Sequence, residues 1–168
     1  MVFHVGVGVQ RNWISNQHVW VTGSAFDDEG VLRSGDSLIT FFDGVDSEQA
    51  FEDALRRLNG FFSVIIGRND MLLIAVDRVR SIPLFWSILD GDIWVSDDPY
   101  WLADESRVDG TCDVIRAEFA LVGYVTCSDT LHSRVSQVQA GELVVFTCQD
   151  SAVRVQPIQY FRFYHVHD

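Results

Sequence analysis

The chain of 168 residues contains no lysine: all twelve of its basic residues are arginine, set against 24 acids. That absence excludes a Schiff-base amine, a P-loop lysine and a lysine general base. Basic charge is also too sparse for nucleic acid, because a formal net charge of -12 repels phosphate backbones, whose binding needs clustered cations. Cysteine is scarce. Cys112, Cys127 and Cys148 are odd in number, widely spaced and free of any C-x-x-C pair, which argues against a disulfide framework or a thiolate zinc site. They read as small buried hydrophobes. No uninterrupted apolar run approaches the 18 or so residues that a membrane helix requires. The segment Met1 to Gly8 has neither the basic stretch nor the cleavage site of a signal peptide, so the expectation is a soluble, cytoplasmic protein with no membrane partner.

What is abundant is aspartate and apolar residues. Eighteen of the 24 acids are Asp. A lysine-free, Asp-heavy surface suits a salt-rich cytosol, where screening relieves self-repulsion, and it equally suits an acidic protein from a GC-rich genome. Hydrophobic residues make up 48% and run along the whole length, enough for one domain over residues 1–168.

The periodicity predicts strands and a few helices. Phe3, Val5, Val7 and Val9 alternate with smaller residues, and 18–23 repeats the pattern, as half-buried strands do. Leu38 to Phe42 reads as a further strand after the turn Asp27-Asp-Glu-Gly30. A helix is expected over 47–58, capped by Asp46 with Gln49 in the capping box. The runs 61–67 and 71–76, joined by Arg68-Asn-Asp70, look like a hairpin buried on both faces. A second hairpin is expected at 84–89 and 93–96, short helices at 97–103 and 113–121, and strands at 142–147, 153–155 and 160–164. The sum is an α+β fold of two antiparallel sheets with helices packed outside.

Three stretches carry a resemblance. They are Leu58-Asn-Gly-Phe-Phe-Ser-Val-Ile-Ile66; Ala75-Val-Asp-Arg-Val-Arg-Ser-Ile-Pro-Leu-Phe-Trp86; and Trp94-Val-Ser96 with a helix ending at Leu102. Leu121-Val-Gly-Tyr124, Thr130-Leu131 and Ala140-Gly141 follow in the same order. Together they resemble the glutaminase-type domain of asparagine synthetases, a class II amidotransferase domain with the N-terminal-nucleophile, αββα sandwich fold. Asp77, Arg78, Pro83 and Leu84 match that family, while Arg80 stands where it usually has Gly.

The resemblance implies a nucleophilic Cys directly after the initiator Met, but Val2 occupies that place. The Arg-Gly-Pro segment that holds the glutamine carboxylate is absent. Val21-Thr-Gly-Ser24 replaces Asn-Gly-Glu, with Thr22 where Asn would stabilise an oxyanion and Ser24 where Glu would bind the substrate amine. Thr22, Gly23 and Ser24 are therefore a vestigial pocket, and no catalytic residue, metal or cofactor is expected. The expected role is a non-catalytic domain packed on an ATP-pyrophosphatase-type synthetase domain, fused or separate. A stand-alone module that binds a small amino-acid-like ligand is the alternative, and homo-oligomerisation is left open.

By the same resemblance the segment from Asp77 to Trp86 faces the partner, making Asp77, Arg78, Arg80, Pro83, Phe85 and Trp86 interface candidates. Asp77, Arg78 and Arg80 read equally as a satisfied structural group, and Trp86, Trp94 and Trp101 read as core. Cleavage before Ser24 would expose a new nucleophile, but small residues at a strand-to-turn junction are ordinary. His165, His167 and Asp168 have strand spacing for a metal, and a solvated tail is the simpler reading. Gly6 and Gly8 lack the third glycine of a dinucleotide loop.

Because self-repulsion falls as salt screens it, the melting temperature is expected to rise between low and molar potassium chloride. Calorimetry or circular dichroism checks this, and a fall in molar salt counts against adaptation to a salt-rich cytosol.

Overall fold

A computed structural model describes residues 2–8, 11–68, 70–105, 112–149 and 152–164. The expectations for Val9, the turn residue Asn69 and the tail His165, His167 and Asp168 lie outside the described residues. The central hairpin is the expected one, β5 (Asn59–Arg68) with β6 (Met71–Val76). β3 (Val19–Phe26) pairs antiparallel with β5, and β10 (Glu142–Gln149) with β6. β11 (Ala152–Gln159) closes one edge; β2 (Ile14–Ser15) and β4 (Leu32–Ser34) both pair with β3 on the other side. Among the described residues this makes a seven-stranded sheet.

A smaller, four-stranded sheet runs in the order β1 (Phe3–Gly6), β8 (Asp92–Ser96), β7 (Phe85–Leu89), β9 (Ser136–Gln137). β1 lies parallel to β8, with Phe3 opposite Ile93 and Gly6 opposite Ser96, so this sheet is mixed rather than purely antiparallel. Only a short hairpin forces antiparallel pairing, and β1 and β8 are far apart in the chain.

Alternation along the central strands builds two cores. Phe62, Val64, Ile66, Leu73, Ala75, Leu143 and Val145 face α1 (Asp36–Asp43) and α2 (Glu48–Arg56), which contribute Leu38, Phe42, Phe51 and Leu55. Phe42 meets Phe51 at 6.0 Å and Phe62 at 6.4 Å between ring centroids. Ile65, Leu72, Ile74, Val144 and Phe146 face the other way and meet Ile93, Val95 and Trp86 of the smaller sheet. The outer face of that sheet packs Phe85 and Trp94 on Leu102, Ala103 and Trp101 of α3 (Pro99–Glu105). The layers are helix, sheet, sheet, helix, and each fully buried Leu, Ile or Phe contributes about 1.5–3 kcal/mol.

Several expectations are corrected. Leu38 to Phe42 lies in a helix rather than a strand: Leu38 and Phe42 are four apart on one face, and Leu38 and Ile39 donate backbone N–H to the Gly35 carbonyl at 3.0 Å. Five residues with only Thr40 between apolar neighbours do not distinguish the two periods. α2 is capped by Ser47, whose hydroxyl accepts from the Ala50 N–H at 3.3 Å, while Gln49 bonds to Asp53 instead of closing a box with Asp46. Tyr160 to Tyr164 leave the sheet: Tyr160 turns inward and donates its hydroxyl to the Val76 carbonyl at 2.8 Å. The three cysteines are exposed rather than buried, Cys148 because β10 outruns its cover and Cys112 and Cys127 because they flank α4 (Asp113–Val122), a helix with no buried residue. Among the described residues no helix is long and apolar enough to cross a membrane.

Replacing Ser47 by Ala is expected to cost about 1 kcal/mol of stability, as loss of an N-cap does. Asp46→Ala should stay within about 0.5 kcal/mol, and urea denaturation of both variants separates the two capping assignments.

Candidate functional site

The vestigial segment lies in the middle of β3, with Thr22 opposite Ser63, Gly23 opposite Phe62 and Ser24 opposite Phe61. Thr22 is buried, and its hydroxyl donates to the Asn12 carbonyl at 2.9 Å. The Thr22 hydroxyl is therefore committed within the fold. Gly23 has φ of 87°, and a Cβ there would overlap the Phe61 carbonyl oxygen, so the strand passes too close to its neighbour for any side chain. Val2 sits elsewhere, in front of β1 in the smaller sheet, with its carbonyl accepting from Ile93 at 3.0 Å. Ser24 lines a cavity.

The segment from Asp77 to Trp86 divides into parts with different surroundings. Asp77 is fully buried at the end of β6. Its Oδ1 accepts from the Val79 N–H at 2.9 Å, its Oδ2 from the Ser81 N–H at 2.9 Å and from the Ser81 hydroxyl, and its carbonyl from Arg80 at 3.1 Å and Gly141 at 3.0 Å. It fastens a tight turn, and among the described residues it makes no ion pair. Nearby, burial first and the Asp77 charge second push the Tyr160 phenol well above its ordinary range, with Arg78 opposing. Glu142, which accepts from the Gln139 N–H at 2.7 Å, is raised by burial.

The turn aims Arg78 and Arg80 at two different surfaces. Arg78 donates to the Arg56 carbonyl at 3.1 Å, and its guanidinium lies 4.5 Å from the centre of the Phe161 ring. With Ser24, Phe61 and Phe163 it lines a cavity of about 560 Å³. Arg80 has φ of 55° and donates to Gln137 Oε1 at 2.6 Å. It lines a second cavity of about 240 Å³ with Phe85, Tyr100, Tyr124, His132 and Gln137. Pro83 is half-buried, and Trp86 lies between the sheets, edge-on to Phe146 at 5.3 Å.

Ser24 and Arg78, which the sequence placed in separate roles, therefore share one cavity, and Arg78 and Arg80, placed in one role, do not. The walls that sequence reasoning missed are aromatic: Phe26, Phe61, Phe161 and Phe163. A signal existed at Phe61, which directly precedes the buried Phe62 and so falls on the opposite face of β5. No group of three or more His, Cys, Asp or Glu suited to a metal is present among the described residues.

The positive φ of Arg80 carries a mutational consequence, since a left-handed conformation costs an L-residue roughly 1–2 kcal/mol. Both Arg80→Gly and Arg80→Ala lose the bond to Gln137, but the glycine variant is expected to be about 1 kcal/mol the more stable of the two. Paired denaturant titrations check this, and equal stabilities would contradict the left-handed turn.

No family model matches the chain, and no curated protein matches it. Twenty-two chains of solved structures do. One is the glutamine phosphoribosylpyrophosphate amidotransferase from B. subtilis complexed with ADP and GMP, with a TM-score of 0.46 and 12% identity over 90% of this chain and 30% of that one. Another is described as the allosteric regulatory enzyme of purine biosynthesis, with a TM-score of 0.47 and 13% identity over 91% of this chain and 31% of that one. The chain thus spans about three tenths of the length of these two structures.

Proposed function

We propose that the chain is a glutaminase-type domain without glutaminase activity, which packs on an ATP-dependent amide-forming domain of the asparagine-synthetase type, in the same chain or as a separate subunit. The observation that carries the first half is the hydrogen bond from Thr22 to the Asn12 carbonyl at 2.9 Å. Removing a single oxyanion donor costs an acyl-transfer enzyme about 10²–10³ in rate. Here the replacing hydroxyl already has an acceptor. The domain would shape the partner's surface while the synthetase takes its amine from solution.

The docking half is supported by exposed apolar side chains. Phe61, Val79 and Phe163 are each more than half exposed around the larger cavity, as are Tyr100 and Tyr124 around the smaller. Large exposed apolar patches mark interaction surfaces. Arg80 suits the rim of such a surface because its planar fork makes paired bonds to carboxylates, and Arg is enriched at energetically dominant interface positions.

Two measurements test the proposal. Ammonia release from glutamine is expected to equal a blank; turnover abolished by alkylating the thiols would overturn the non-catalytic reading. Calorimetric titration with a co-encoded synthetase-type domain should show binding, weakened by about 1–4 kcal/mol in Arg80→Ala. No binding by the unaltered chain would sink the docking reading.

A further inference from the structure

The chain carries twice as many acids as bases, and four of its described arginines form ion pairs: Arg33 meets Asp27 at 2.7 Å, Arg56 meets Glu52 at 2.5 Å, Arg57 meets Asp28 at 3.0 Å, and Arg68 meets Asp43 at 3.7 Å. Arg78 differs. Among the described residues it makes no ion pair; its hydrogen bond goes to a neutral carbonyl, and its Nε is buried with no acceptor. Its guanidinium is held in place by that carbonyl and by the Phe161 ring. A partly desolvated cation with fixed geometry and no counter-ion is complementary to a carboxylate.

The surroundings state what else the occupant must offer. Phe26, Leu32, Phe61, Val79 and Phe163 wall the same cavity of about 560 Å³, and each is more than half exposed. We infer that this groove takes a segment of another protein chain that presents an Asp or Glu carboxylate to Arg78 between apolar side chains. The inference rests on the docking reading above and adds the chemistry of the partner's contact. A small ligand is usually enclosed over most of its surface, whereas these walls stand open, and Val31 and Tyr164, next in sequence to the wall residues Leu32 and Phe163, are exposed as well. A second copy meeting this face about a two-fold axis would set the same cation against itself, on two molecules of net charge -12.

The test is selection of peptides of about a dozen residues from a random display library on the immobilised chain. The recovered peptides should carry Asp or Glu flanked by apolar residues. A synthetic representative should shift the amide resonances of Phe61, Val79 and Phe161. Its affinity should fall about tenfold or more when its acid becomes the amide, and likewise in Arg78→Gln, as loss of a charge-assisted bond predicts. Arg57→Gln, outside the groove, should bind normally. Val79→Glu provides a second variant: the side chain is exposed, so the melting temperature should hold while the new carboxylate occupies Arg78 and blocks the peptide.

Recovery of no peptides or of non-acidic ones, or an acidic peptide insensitive to both variants, would overturn the inference. So would N-acetylphenylalanine binding as tightly as the peptide, which would make the groove a small-molecule site. Failure here with the synthetase domain still docking leaves the proposed function intact; acidic peptides that bind while that domain does not dock leave the groove and remove the synthetase.

Discussion

The carboxylate of Asp77 is fully buried and, among the described residues, is compensated by N–H and hydroxyl donors rather than by a cation. A buried charge is tolerated only when such bonds are complete. Completing them dictates the path of the chain: the backbone must curl from Val79 to Ser81, the Arg80 residue must adopt a left-handed conformation, and Gly141 must approach the Asp77 carbonyl. The same turn sends Arg78 toward Phe161 and Arg80 toward Gln137. Two surface cavities on different sides of the turn are thus consequences of satisfying one interior group.

The two-sheet arrangement was legible because its evidence is local. The runs from Phe61 and from Met71 are apolar on both faces, which only a covered sheet allows, and Ala50, Phe51, Ala54 and Leu55 make a helical stripe that no strand would. The errors fall where local pattern is ambiguous or where tertiary cover decides. Leu38 to Phe42 is too short for its period to be read, and a cysteine reads as apolar whether or not the strand beneath it is covered. The turn at Arg80 was half legible: glycine is usual there in the family the sequence resembles, and φ of 55° gives the reason. The groove was not legible, because Phe26, Phe61, Val79 and Phe163 are brought together by three different connections, and an exposed phenylalanine looks in sequence like a buried one.

Within β3, residues 22 and 23 are taken up by packing and internal hydrogen bonding. Thr22 closes onto the Asn12 carbonyl, and Gly23 lets β3 run against Phe61 without a side chain between them. A reactive site needs donors aimed outward at a position where charge will develop; a sheet interior needs every donor satisfied inward. The residues at 22 and 23 meet the second requirement.

α4 presents a different balance. It spans Asp113–Val122, has no side-chain cap at Cys112, and buries none of its residues, while Val114, Phe119, Leu121 and Val122 stand exposed. A ten-residue helix has too few turns to repay the entropy of nucleating its first, and helices of this length ordinarily draw their persistence from an apolar face pressed against something. Burial therefore contributes little to the stability of this segment, which rests on its backbone bonds, the Gly123 cap and the tie from Thr126 to Glu118. Amide hydrogens along α4 would accordingly exchange ahead of those in the buried strands, so the domain would open here first.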